Sequence, residues 1–161
     1  MAKLGRYRIF ADHYQFVVCD AESDPLDEAP EWTKSATARG YVTFGSGAIV
    51  SARAHLNDIV VDVELANSPP PTEDCSRAVH FKLEVASGNL IVAGLLDLSN
   101  EAHTLEVPAG TYLCHILSYN LGIDQMSTGE IRAAGNKKRM SDHDRFARTD
   151  FERHRIILIP L

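Results

Sequence analysis

Apolar and polar residues alternate with a period of two over two long segments, a pattern that a helix would scatter around its whole circumference and a strand sorts onto two faces. Asp58-Ile59-Val60-Val61-Asp62-Val63-Glu64-Leu65 puts Ile59, Val61, Val63 and Leu65 on one face and Asp58, Asp62 and Glu64 on the other. Ala78-Val79-His80-Phe81-Lys82-Leu83-Glu84-Val85 repeats the arrangement, with His80, Lys82 and Glu84 outward. The two can pair as a hairpin, in which case Lys82 faces the acids of the earlier strand and contributes roughly 0.2–1 kcal/mol. Between them, Asn67 to Asp74 contains three consecutive prolines and reads as an exposed connection.

Other strands follow at short spacing. Leu90 to Ala93 and Thr104 to Val107 are strand-like, and Pro108-Ala109-Gly110 turns the chain into Thr111 to Tyr119, apolar on both faces and therefore central. His154 to Leu161 is also apolar on both faces and must be buried. Seven to nine short strands, one helix and no internal repeat predict a mainly all-β chain, an antiparallel β-sandwich. With 161 residues, 45% of them hydrophobic, residues 1–161 are long enough for a single domain with a sizeable core.

The segment from His13 to Ile49 carries the functional signal. His13 to Cys19 is aromatic and β-branched, as a half-buried strand requires. Between Asp20 and Glu31 lie six acids, Asp20, Glu22, Asp24, Asp27, Glu28 and Glu31, and no base, with Pro25 and Pro30 interrupting the backbone. An acidic loop of that composition should be exposed. Pro30 suits a first helical position and Gly40 the position just past a helix end, which predicts a short helix over 31–39. On that helix Trp32, the single tryptophan, shares a face with Ala36, and either packs on a sheet or anchors a partner. Tyr41 to Phe44 and Ala48 to Val50 resume the strand pattern around the turn Gly45-Ser46-Gly47.

This order of signals, with Tyr14-Gln15-Phe16, Trp32-Thr33, Gly40-Tyr41 and Gly47-Ala48-Ile49 in register, resembles the competence protein J family over the first third of the chain. The resemblance implies a β-rich inhibitor of a DNA-entry nuclease, binding a protein and lacking catalytic residues of its own.

Charge is unevenly distributed: residues 1–131 carry 18 acids and 8 bases, residues 132–161 carry 4 acids and 8 bases. An acidic body repels nucleic acid and attracts a basic partner. Residues Asp20, Glu22, Asp24, Asp27, Glu28, Glu31 and Trp32 are accordingly the candidate contact set for a protein partner, a nuclease, whose basic cleft the acidic loop would enter in place of DNA. No direct binding of nucleic acid is expected. The stretch near 121–153 breaks the strand rhythm, and its basic run Lys137-Lys138-Arg139 is a candidate anion-binding loop. A short helix near Asp142 to Phe151, capped by Ser141, is compatible with its sequence.

Catalytic signatures do not emerge. Asp142-His143-Asp144 with His154 has no zinc-type spacing, Gly45-Ser46-Gly47 is too short for a phosphate loop, and no Gly-x-Ser-x-Gly elbow occurs. No metal, cofactor or enzymatic activity is expected. Three cysteines, Cys19, Cys75 and Cys114, fit reduced thiols, with Cys19 and Cys114 in the core. No apolar run approaches the roughly 18 residues of a membrane helix, and the start lacks the apolar middle of a secretory signal, so a cytoplasmic location is expected. The competing reading is a small-ligand or carbohydrate-binding β-sandwich, as a homo-oligomer, with its site between the basic loop and the sheet, near Tyr119.

Overall fold

The computed structural model describes residues 2–11, 13–28, 30–54, 57–95, 98, 102–123 and 151–161. Ten strands and two short helices occur in the order β1 (Ala2–Ala11), β2 (Gln15–Asp20), α1 (Pro25–Glu28), α2 (Lys34–Arg39), β3 (Tyr41–Phe44), β4 (Gly47–Ser51), β5 (Asn57–Leu65), β6 (Arg77–Val85), β7 (Asn89–Gly94), β8 (His103–Glu106), β9 (Gly110–Tyr119) and β10 (Arg153–Pro160). They form two five-stranded sheets, β1-β5-β10-β9-β6 and β3-β4-β2-β7-β8. The all-β sandwich expected from the periodicity is the fold that forms, with ten strands among the described residues.

The strand pairing differs from the expected one in a single informative way. β5 and β6 do not form a hairpin, because β10 and β9 stand between them. β10 is buried on both faces, from His154 through Ile156, Ile157, Leu158 and Ile159, so it needs a neighbour on each side. It takes β9 antiparallel and β5 parallel, which makes the sheet mixed rather than antiparallel. The acids of β5 therefore meet arginines instead of Lys82. Asp62 accepts two hydrogen bonds from Arg6, at 2.7 and 3.1 Å, and Glu64 accepts two from Arg155, at 2.7 and 3.0 Å. Those bidentate pairs raise the pKa of both arginines.

Between the sheets lies the main core, which includes Ile9, Phe16, Val18, Val50, Ile59, Val61, Val63, Phe81, Leu83, Leu90, Val92, Tyr112, Ile116, Ile156 and Leu158. A second cluster, Val17, Cys19, Ala36, Val42, Phe44 and Ile49, covers the outer face of the β2 sheet, with Trp32, Ile91, Leu95 and Leu98 packed on it. β2 is thus buried on both faces. Cys19 and Cys114 are core residues, and burial pushes the Cys19 thiol up to about 12.

α2 begins later than expected. Thr33, not Pro30, is its N-cap: Thr33 Oγ1 accepts from the Ala36 amide at 3.1 Å. Gly40 ends it at φ +92°, where its amide donates to the Ala36 carbonyl. Trp32 consequently precedes the helix. It remains half-buried on the sheet, its Nε1 donating to Gln15 Oε1 at 3.2 Å.

Candidate functional site

Of the six acids of the 20–31 segment, Asp20 is buried and anchors the turn, and the other five are exposed, Asp24 among them while also capping a helix. Asp20 closes β2 and is buried. Its Oδ1 accepts from the amide and hydroxyl of Ser87, at 3.0 and 2.6 Å, and its Oδ2 from the Glu22 amide at 3.1 Å. Backbone bonds from Asp20 to the Ser46 carbonyl and from Ala21 to the Asn89 carbonyl tie the same point to two neighbouring turns. The expectation that Asp20 is exposed is therefore corrected: a carboxylate placed among three donors is drawn inward by them.

From that anchor the chain makes a tight excursion. Ser23 donates its amide to the Asp20 carbonyl, and Asp24 caps a one-turn helix by accepting from the Asp27 amide at 3.3 Å. Pro25, at the first position of α1, is buried, where its missing N–H costs nothing. The sequence reading missed this helix because four residues are too few for a periodic signal. Glu22, Asp24, Asp27, Glu28 and Glu31 are all exposed. Among them in the sequence stands Leu26, 72% exposed, a large apolar side chain in a run of acids. Sequence reasoning passed over Leu26 because an isolated leucine ordinarily reads as core; its place directly after a proline in a run of acids was the available signal.

The candidate anion-binding residues Lys137, Lys138 and Arg139, the helix near Asp142 to Phe151 except for Phe151 itself, and the Asp142-His143-Asp144 group lie outside the described residues. His154 is described, and it sits in a buried polar chain. Its Nδ1 is 2.7 Å from Ser118 Oγ and its Nε2 is 3.1 Å from Glu152 Oε2, with all three residues fully buried. Glu152 Oε1 also accepts the amides of Arg53 and Gly122, both at 3.1 Å. Burial, reinforced by the nearby charge of Arg77, holds the His154 pKa below its ordinary value. Burial opposes ionisation of Glu152, but the donors around it outweigh that and keep its pKa low. The residue types are those of a hydrolytic triad, yet the serine has no access to a substrate. The chain instead ties β9, β10 and the β4 exit together.

Tyr119, the residue beside which the competing reading places a ligand, is occupied: its hydroxyl accepts from Arg155 Nη1 at 3.0 Å and Arg153 lies over its ring at 4.6 Å. Among the described residues, no three His, Cys, Asp or Glu side chains converge as a metal site, and no helix is long and apolar enough to cross a membrane.

The family model of competence protein J matches residues 8–134. Two solved structures share the fold over essentially the whole chain. One is ComJ from Bacillus subtilis, described as an inhibitor of the DNA degrading activity of NucA, with a TM-score of 0.65, 16% identity and coverage of 100% of this chain and 99% of that one. The other is the product of crocagin biosynthetic gene J, with a TM-score of 0.54, 14% identity and 99% coverage of both chains. No curated protein sequence matches the chain.

Proposed function

The chain belongs to the competence protein J family, and from that premise we propose that it is a non-enzymatic protein that inhibits a DNA-degrading nuclease by binding it. The B. subtilis relative, described as an inhibitor of NucA, supports that choice of partner. The observation that carries the reading is the pinned turn over 20–28, where the exposed carboxylates of Glu22, Asp24, Asp27 and Glu28 and the exposed Leu26 share one short stretch of chain, with exposed Glu31 following.

A nuclease holds a polyanion, so its cleft must present basic groups. An acidic turn already fixed by Asp20, Asp24 and Pro25 meets that cleft without first having to be ordered, which is where many loops lose affinity. Glu22, Asp24, Asp27, Glu28 and Glu31 steer the encounter and Leu26 is the apolar anchor. Trp32 packs on the outer face of the β2 sheet with its indole N–H on Gln15, at the other end of β2 from Asp20, and is the outlying member of the proposed contact set. The mechanism is occlusion: the turn occupies the phosphate-binding cleft in place of DNA. It requires no cofactor and no catalytic group in the inhibitor. One domain, residues 1–161, carries the activity, in the cytoplasm, where Cys19, Cys75 and Cys114 stay reduced.

The test is the association rate with a NucA-type nuclease, followed by surface plasmon resonance at low and high salt. The rate is expected to fall on the order of tenfold as salt rises through the range where the Debye length shrinks below about 10 Å. Reversing Asp27 and Glu28 to lysine should lower it further. Binding that ignores both salt and charge reversal would dismiss the acidic turn as the contact.

A further inference from the structure

A cavity of about 450 Å³ opens at the end of the sandwich where α2 passes into β3 and β4 ends, away from the acidic turn. Two cations, Arg53 and Arg77, line it, together with the hydroxyl-bearing Thr37, Ser51 and Ser76, and among the described residues no acid does. Arg77 is fixed in place. Its Nη1 donates to Ser51 Oγ at 2.6 Å, and its Nη2 donates to the Ser51 carbonyl at 2.6 Å and Ser118 Oγ at 3.3 Å. Room for it exists because residue 40 is glycine: a Cβ there would stand 2.7 Å from Arg77 Nη1. Neither guanidinium forms an ion pair among the described residues, and Arg77 Nε is buried without a hydrogen-bond partner. The nearby carboxylate, Glu152, is already committed to Arg53's amide, Gly122 and His154. Burial lowers the Arg77 pKa, with the charge of Glu152 opposing that shift and the like charge of Arg53 adding to it.

The rim of the cavity adds a second recognition element. His13 and Tyr14 form the tight turn between β1 and β2 with φ of +53° and +60°, a left-handed conformation rarely adopted by residues of that size. The Ala52 amide donates to the Tyr14 carbonyl at 2.7 Å and fixes the turn against the end of β4. Tyr14 lines the opening and is 43% exposed. We infer that this cavity binds a small phosphomonoester bearing a flat ring, of the nucleoside monophosphate class, with Arg53 and Arg77 on the phosphate and the Tyr14 ring against the base. Guanidinium groups match phosphate oxygens in geometry as well as charge, and aromatic faces stack on any base. The volume falls within the usual range for small-molecule sites. The inference is independent of the inhibitor reading.

Isothermal titration calorimetry on the full chain tests it, with deoxyadenosine 5′-monophosphate, inorganic phosphate and deoxyadenosine as the three probes. The monophosphate should bind with a dissociation constant below about 1 mM, with inorganic phosphate and deoxyadenosine each weaker by about tenfold or more. Arg53→Met is the deciding variant, since among the described residues the Arg53 side chain makes no hydrogen bond or ion pair; it should weaken the monophosphate by about tenfold. Tyr14→Asn, a residue that tolerates the left-handed turn, should weaken it several-fold while leaving inorganic phosphate unchanged. No heat with the monophosphate at millimolar concentration, undiminished binding by Arg53→Met, or either fragment binding as tightly as the monophosphate would overturn the inference.

Discussion

Replacing Glu152 with glutamine changes one oxygen for an NH2 group and should be among the most damaging conservative substitutions in the chain. The carboxylate is fully buried and accepts from two backbone amides and His154. Each bond to a charged acceptor contributes about 1.5–3 kcal/mol against about 0.5–1.5 for a neutral one, so three bonds lose roughly 3 kcal/mol together. Glutamine also sets its own NH2 against the His154 Nε2–H and removes the negative charge that favours the charged form of Arg77. A loss of about 3 kcal/mol at pH 7 is expected, read as a drop of about 1–3 M in the urea midpoint with an unchanged slope. The pH dependence gives an independent check. Because the folded pKa of Glu152 is depressed, its contribution is complete above the unfolded value of about 4.3 and is lost as pH falls through the folded value. The gap between wild type and Glu152→Gln should therefore narrow below about pH 4. A loss under about 0.5 kcal/mol at pH 7, or a gap independent of pH, would refute the assignment of Glu152 as an ionised, bond-accepting anchor.

Asp20→Ala should cost about 2 kcal/mol in chemical denaturation by leaving Ser87 and the Glu22 amide without their acceptor, whereas Glu22→Lys or Glu28→Lys should stay within about 0.5 kcal/mol of wild type. His154 is buried with a lowered pKa, so the unfolded chain binds more protons below about pH 6.5. Stability should fall there by up to about 1.4 kcal/mol per pH unit, and His154→Gln should remove that slope in thermal melts across pH 7 to 5. A thiol reagent should label Cys75 alone in the native protein, because Cys19 and Cys114 are buried and burial raises the pKa of each. Gly47→Ala should destabilise by about 2 kcal/mol, since a Cβ there would overlap Cys19 and stand 2.8 Å from the Val18 carbonyl oxygen.

The sequence is legible where a residue's chain neighbours decide its fate. The alternation in β5 and β6 and the burial of Cys19 and Cys114 are local facts. The residues that carried the family resemblance have structural duties that explain their use: Trp32 bonds Gln15, Thr33 and Gly40 cap α2, and Gly47 permits close packing on Cys19. What escaped was set by partners distant in the chain. β1 carries Lys3, Gly5, Arg6 and Arg8 and does not look like a strand until Arg6 and Arg8 are seen against Asp62 and Asp58 of β5. The insertion of β10 beside β5 is a choice of neighbour, about which period-two alternation says nothing. Asp20 looked like its acidic neighbours because only Ser87, on another turn, distinguishes it. Glu152, His154 and Ser118 gave no motif because the fold, not their spacing, brings them together.

The most direct test of the proposed inhibition is DNA degradation by a purified NucA-type nuclease in the presence of this protein. Equimolar wild-type protein is expected to stop degradation, and a variant with Glu22, Asp27, Glu28 and Glu31 changed to lysine and Leu26 to serine, which keeps the Asp20 and Asp24 bonds of the turn, is expected to leave it running while melting at nearly the wild-type temperature. Degradation unaffected by the wild-type protein, or stopped equally well by the variant, would contradict the account.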